Sequence, residues 1–156
     1  MTDKRRTAAI IGGGVIGSGW ATRVLLNAWD VRFFDPSADA ERILYAVIER
    51  GREAMPALRD VVPEEGSLHI ATSTGDAVEG ALYIQESTPE RIEVKQAVLK
   101  SIQESCDANA IVASSTSGFM PSELQEGAVR PEQIIVSHPY NPVYLLPLVE
   151  VVASPA

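Results

Sequence analysis

Short apolar runs alternate with amphipathic stretches along the whole chain. Runs at 8–11 (Ala-Ala-Ile-Ile), 31–34 (Val-Arg-Phe-Phe), 68–71 (Leu-His-Ile-Ala), 81–84 (Ala-Leu-Tyr-Ile), 110–113, 133–136 and 149–152 read as strands. The first several are nearly continuous rather than alternating, which suits strands of a parallel sheet covered on both faces. Between them, 15–28 sets Ile16, Trp20, Val24 and Leu25 broadly on one helical face, and 39–53 does the same with Ile43, Leu44, Val47 and Ile48. A third helix is predicted over 91–105, with Val94, Val98 and Ile102 inward and charges opposite, and a short one begins at Pro121. The segment 55–66 contains Pro56 and Pro63, lacks periodicity, and reads as irregular. Repeated strand–helix units of this kind predict an α/β fold, a doubly wound, mostly parallel sheet with extra strands at its C-terminal end.

Composition narrows the picture. At 156 residues the chain is about one domain, and its 46% hydrophobic and 22% charged content is ordinary for a globular protein. A net charge of −8 argues against nucleic acid, since phosphate binding needs clustered basic residues. The basic start Lys4-Arg5-Arg6 is too short to reverse that and is read as keeping the entry to the first strand soluble. The single cysteine, Cys106, excludes an internal disulfide and a multi-cysteine metal site, and no metal is expected. It is read as a small apolar residue near a helix end. No run approaches the roughly 20 apolar residues of a membrane span. The N-terminus lacks the apolar core of a secretion signal, so a cytoplasmic location is expected. The tail 153–156 resembles the beginning of a linker, which suggests a fragment.

A glycine pattern supplies the first chemistry. Gly12-Gly13-Gly14-Val15-Ile16-Gly17 follows the first strand directly and opens a helix, the context that turns a weak motif into a dinucleotide fingerprint of the Rossmann type. Gly12 permits a tight turn, Gly14 lets backbone approach a pyrophosphate, and Gly17 lets helix and strand pack closely. Backbone N–H groups and the positive helix end would hold the phosphates. Asp35 ends the second strand, 18 residues after Gly17, where a carboxylate accepts from ribose hydroxyls and repels a 2′-phosphate. NAD is therefore the expected cofactor rather than NADP. The ordinary alternative is a glycine-rich strand–helix turn with an incidental Asp.

The second signal is Ser-His-Pro-Tyr-Asn-Pro at 137–142, with Glu150 twelve residues after His138. A histidine at a strand end with a carboxylate placed to orient it is the equipment of a general base. Together with a nicotinamide site it suggests a hydroxyl-oxidising dehydrogenase acting on a small molecule.

These residues resemble the NAD-binding domain of the L-3-hydroxyacyl-CoA dehydrogenase family. The resemblance runs in order through 11–17, 85–90 (Gln-Glu-Ser-Thr-Pro-Glu), 113–117 (Ala-Ser-Ser-Thr-Ser), and 138–142 with Glu150. Within the family, 114–119 and 138–150 are most similar to members that oxidise L-carnitine. The resemblance implies His138 as the base that takes the substrate hydroxyl proton, Glu150 as its orienting partner, and Ser117 as a hydrogen-bond donor to the substrate oxygen. It implies that Glu90 and Lys95 line the cofactor site. It also implies a second, helical domain outside these residues, carrying a further catalytic asparagine and the contacts of a homodimer. The domain alone, residues 1–156, is then expected to be inactive.

Each residue also has an ordinary reading: His138 ending a strand, Glu150 exposed on one, Ser117 in a turn, Glu90 and Lys95 on a solvated helical face. His69 has no catalytic neighbour in sequence and reads as structural. The acyl-CoA pattern is departed from at 38–68, which is short, lacks lysine and breaks at Pro56 and Pro63. Arg42, Arg50, Arg52 and Arg59 keep CoA disfavoured rather than excluded. Tyr140, Tyr144 and Phe119 are candidates either for cation–π contact with a trimethylammonium or for plain packing. A 3-hydroxyacyl-CoA dehydrogenase and a non-catalytic NAD-binding module remain the alternatives.

Overall fold

The computed structural model describes residues 5–155, so Lys4 of the basic start and Ala156 of the tail lie outside it. Seven strands form one sheet in the order β3-β2-β1-β4-β5-β6-β7. They are β1 (Thr7–Ile11), β2 (Asp30–Phe34), β3 (Leu68–Ile70), β4 (Tyr83–Glu86), β5 (Ile111–Ser114), β6 (Ile134–Pro139) and β7 (Val149–Val152). All neighbours pair in parallel except β6 and β7. The helices are α1 (Val15–Leu25), α2 (Ala40–Leu58), α3 (Thr74–Val78), α4 (Ile92–Ser105) and α5 (Pro121–Leu124).

Strand alternation sends successive side chains to two separate cores. Ile10, Val31 and Phe33 meet Trp20 and Leu25 of α1 and Leu44 and Ile48 of α2 on one face. Ala9, Ile11, Ile84 and Val112 meet Ala77 and Val78 of α3 and Leu99 and Ile102 of α4 on the other. The doubly wound reading therefore holds, and the strand order reverses between β1 and β4. That reversal leaves a crevice at the carboxyl ends of the strands.

Four details differ from the sequence reading. The second helix runs through Pro56 to Leu58. Proline keeps a helical φ and forfeits one hydrogen bond, while buried Met55 holds the last turn and its carbonyl accepts from the Arg59 amide at 3.1 Å. The five-residue α3 is too short for a periodic signal and is announced only by Ser73, whose hydroxyl accepts from the Asp76 amide at 3.0 Å. β4 begins two residues later than the apolar run and extends into polar Gln85 and Glu86. In α4 the fully buried face is Lys95, Leu99, Ile102 and Gln103, while Val94 lines the nucleotide crevice and Val98 lies between that crevice and the core.

Arg5 pairs with Glu64 at 2.6 Å, and Arg6 stands 5.5 Å over the Trp29 ring, so both pack against the domain. Cys106 caps the end of α4, half-buried. His69 pairs with Asp76 on the surface. Beyond β6 the chain turns back over α1. Val143 is buried there against Gly19, where a Cβ would come within 2.9 Å of the Val143 Cβ, and Arg23 donates to the carbonyls of Val143 (3.1 Å) and Leu146 (3.3 Å). Among the described residues no helix is long and apolar enough to cross a membrane.

Candidate active site

The glycine turn leaves β1 at Ile11. Gly12 has φ +103°, and a Cβ on it would lie 2.5 Å from the Ser87 carbonyl oxygen. A Cβ on Gly17 would strike the Gly12 carbonyl oxygen at 1.8 Å. Gly13 is hemmed in by Phe33, Ala40 and Asp35. Gly14 differs: nothing lies within 4 Å of a Cβ built on it, so no protein packing demands a glycine there. It opens α1 without a side-chain cap and without an acidic residue in the first turn, which leaves the helix end suited to anionic groups.

Asp35 is fixed at the end of β2 by the amides of Gly13 (2.6 Å) and Ser37 (2.7 Å). It lies on a cleft of about 850 Å³ with Gly12, Gly13, Gly14, Val15, Ile16, Thr88, Val94 and Val98. A largely apolar cleft of this size, with an uncapped helix end at one side and a carboxylate at another, fits a dinucleotide.

Around β4 the structure corrects the solvated reading of Lys95. Its side chain is 1% exposed and that of Glu86 is 0% exposed, and the two are paired at 3.1 Å. Lys95 also donates to the Thr88 carbonyl at 3.2 Å and reaches Glu90 at 3.3 Å. Glu86 further accepts from the Thr88 amide and hydroxyl, both at 2.6 Å, and from the Ser114 hydroxyl. Glu90 takes the Thr116 hydroxyl and the amides of Ser117 and Gly118, each amide at 3.1 Å. Burial pushes the Glu90 carboxyl up, but Thr116, Gly118 and Lys95 outweigh it and hold the group below the ordinary carboxylate range. The loop bearing Ser117 is thus tied, through Glu90 and Lys95, to a buried carboxylate at the end of β4.

His138 and Glu150 face each other across the antiparallel β6–β7 ladder. His138 Nδ1 lies 2.9 Å from Glu150 Oε2, and the Tyr140 hydroxyl donates to Oε1 at 3.2 Å. These two contacts, His138 first, hold the Glu150 carboxyl below its usual range. Of the two valines flanking Glu150, Val149 packs against the core and Val151 is exposed. His138 and Ser117 line two adjoining cavities. One, of about 320 Å³, is bounded also by Phe119, Met120 and Glu150. The other, of about 340 Å³, is bounded by Ile16, Ser87, Thr88, Glu90 and Lys95. Ile16, Ser87 and Thr88 also line the dinucleotide cleft, so that cleft opens towards His138.

Phe119 sits beside His138 while also packing on the core. Tyr144 does not join it. Its ring lies 3.7 Å from where a Cβ on Gly51 of α2 would be, a packing position. Sequence reasoning passed over Glu86, a carboxylate closing an apolar strand with a lysine nine residues on. It also passed over Thr116. Among the described residues no group of three or more His, Cys, Asp or Glu could hold a metal ion.

A parallel sheet reversing at β1 and β4, with a glycine turn there and a carboxylate closing β2, defines a Rossmann-type dinucleotide-binding domain. The chain belongs to the 3-hydroxyacyl-CoA dehydrogenase family, whose NAD-binding domain it matches over residues 7–156, and NAD is its cofactor. It is similar to an L-carnitine dehydrogenase/betainyl-CoA thioesterase of Ruegeria pomeroyi, 61% identical over 96% of this chain and 31% of that protein. An L-carnitine dehydrogenase of Mesorhizobium japonicum is 49% identical over 94% of this chain and 41% of its own length. The chain thus spans less than half the length of either. Of solved structures, an NAD⁺-dependent dismutase, 5-formyl-3-hydroxy-2-methylpyridine-4-carboxylic acid 5-dehydrogenase, superposes with a TM-score of 0.88 at 31% identity, over 97% of this chain and 50% of that one. The 3-hydroxybutyryl-CoA dehydrogenase of Escherichia coli K12 gives 0.84 at 26%, over 96% and 33%.

Proposed function

We propose that this is the NAD-binding domain of a two-domain dehydrogenase that oxidises the 3-hydroxyl of L-carnitine to 3-dehydrocarnitine, with His138 as general base. The observation that carries the chemistry is the 2.9 Å contact of His138 Nδ1 with Glu150 at a cavity continuous with the dinucleotide cleft. A carboxylate on Nδ1 favours the proton there and leaves Nε2 as the basic nitrogen. His138 Nε2 takes the hydroxyl proton as the C3 hydrogen leaves as hydride and the carbonyl forms. When bound, the nicotinamide of NAD accepts that hydride. Glu150 stabilises the resulting imidazolium, and the Ser117 hydroxyl donates to the substrate oxygen. Asp35 takes the adenosine ribose, and the Gly12-to-Gly17 turn holds the pyrophosphate.

The names of the relatives support carnitine, and of the four arginines weighed for CoA two have carboxylate partners at exposed positions. Arg42 is occupied by Asp39, and Arg52 by Glu49 and Glu65. Tyr140 and Phe119 are the aromatic faces offered to a trimethylammonium, and Tyr144 drops out of that set. Catalysis needs the rest of the polypeptide, which also supplies the homodimer contacts, and the isolated domain binds NAD without turnover.

The test is NADH formation by the full natural polypeptide that carries this domain, with L-carnitine and 3-hydroxybutyryl-CoA side by side. Turnover of carnitine alone supports the proposal. Turnover of the CoA ester keeps the mechanism and overturns the substrate. Silence with both, despite NAD binding, favours a binding module, and robust oxidation by residues 1–156 alone overturns the division of labour.

A further inference from the structure

The His138–Glu150 pair has a third member. Glu150 stands on β7, the edge strand of the sheet, with its side chain 57% exposed. A glutamate there has three rotatable bonds and water on several sides, so one contact to an imidazole holds it poorly. The register supplies a second contact. His138 lies directly opposite Glu150, and alternation returns Tyr140 to the same face, one diagonal step away. The Tyr140 amide continues the ladder by donating to the Leu148 carbonyl at 3.3 Å, which fixes where the ring begins. Its hydroxyl then reaches Glu150 Oε1 at 3.2 Å, while Oε2 stays 2.9 Å from His138 Nδ1. The two rings lie 6.0 Å apart, tilted at 55°, so the carboxylate is held by both of its oxygens from two neighbouring rings, one on β6 and one just past its end.

We propose that Tyr140 is a positioning residue: its hydroxyl pins one oxygen of Glu150 so that the other stays on Nδ1 of His138, holding the imidazole in the tautomer whose Nε2 is free to accept a proton. The proposal rests on the reading of His138 as the base, and it goes beyond that reading by assigning the tautomer to a tyrosine hydroxyl. The phenol is well suited to the task. Glu150 raises the Tyr140 hydroxyl above its ordinary pKa, so it stays a donor at neutral pH. A phenylalanine here would keep the ring and the strand geometry and lose only the donor.

The chain provides its own control. It contains two histidines, and they face carboxylates through opposite nitrogens. His138 offers Nδ1 to Glu150, whereas His69 offers Nε2 to Asp76 at 3.2 Å. The ¹⁵N shifts of both imidazoles, followed on the 156-residue protein to the alkaline limit where they stop changing, should therefore report opposite tautomers in one spectrum. In Tyr140→Phe the Nδ1–H to Nε2–H ratio at His138 should fall by roughly three- to tenfold, the scale of one partly exposed hydrogen bond, with His69 unmoved. Should that variant not fold, 3,5-difluorotyrosine at position 140 keeps the ring and ionises well below tyrosine. The His138 tautomer should then shift as that phenol titrates. An unchanged His138 tautomer on loss of the donor overturns the proposal, as does a wild-type His138 already carrying its proton on Nε2. The first result leaves open whether His138 is the base, whereas a proton resting on Nε2 would also remove the nitrogen assigned to accept the hydroxyl proton. Whether His138 is the base is decided by turnover of His138→Gln in the full polypeptide.

Discussion

Two carboxylates of the one sheet, Glu86 at the end of β4 and Glu150 near the start of β7, are placed in opposite ways. Glu86 is sealed beneath the β4 end, with Lys95, Thr88 and Ser114 satisfying it. Glu150 stands on the edge strand, in reach of water, with His138 and Tyr140 as its partners among the described residues. A buried ion pair resists any change in protonation, because either partner left alone would be a charge without solvent. An exposed pair changes protonation at little cost. The first is suited to framework and the second to chemistry, and the distinction lies in solvation rather than in residue type.

That contrast can be broken most forcefully at Lys95. Lys95→Met leaves Glu86 buried and unpaired, and urea unfolding should show a loss of about 3–5 kcal/mol. The double variant Lys95→Met/Glu86→Leu should recover only part of it, since Thr88 and Ser114 lose their acceptor. A loss below about 1 kcal/mol would mean that the pair is solvated after all. On the other side, His138→Gln should lower turnover of the full polypeptide by on the order of 10²–10⁴. Calorimetric titration should find NAD affinity within about threefold of the parent, because His138 lies outside the dinucleotide cleft.

Between the extremes lies Tyr83, which burial pushes up to about 12 from an ordinary 10.0. The folded protein keeps the phenol proton where the unfolded chain has lost it. The resulting stability is complete below pH 10 and is lost as pH rises from 10 towards about 12. The loss should total about 3 kcal/mol across that window. Unfolding free energies measured at several alkaline pH values should decline less steeply in Tyr83→Phe. The smallest effect is expected at Glu150: Glu150→Gln should leave the urea unfolding midpoint nearly unmoved, while slowing turnover through the misplaced imidazole.

The same contrast explains what the sequence could and could not convey. The parallel sheet was legible because its strands are nearly continuous apolar runs and its helices keep a 3.6-residue period. Glycines at 12, 14 and 17 were legible because their spacing encodes one backbone turn. Lys95 was not, since a lysine on a helix reads as solvated and its burial depends on Glu86 arriving from another element. Nor was the full inward face of α4, where Val94 lines the cleft and Val98 both packs on the core and lines the cleft. α2 outlasted its proline because tertiary packing at Met55 outweighed a local breaker. The His138–Glu150 contact was readable as an expectation from strand ends twelve residues apart, whereas the diagonal reach of Tyr140 required the register.

The contact of Val143 with Gly19 sets a mechanical tolerance for the whole domain. α1 begins at the phosphate turn and rises about 1.5 Å per residue, so Gly19 is a fixed distance from the cofactor end of the cleft. Val143 lies five residues beyond His138 and is clasped to the same helix by Arg23. One helix therefore serves as the datum from which both the cofactor cleft and the His138 imidazole are gauged. Added bulk at Gly19 would touch neither of them, yet it would alter the clearance between them.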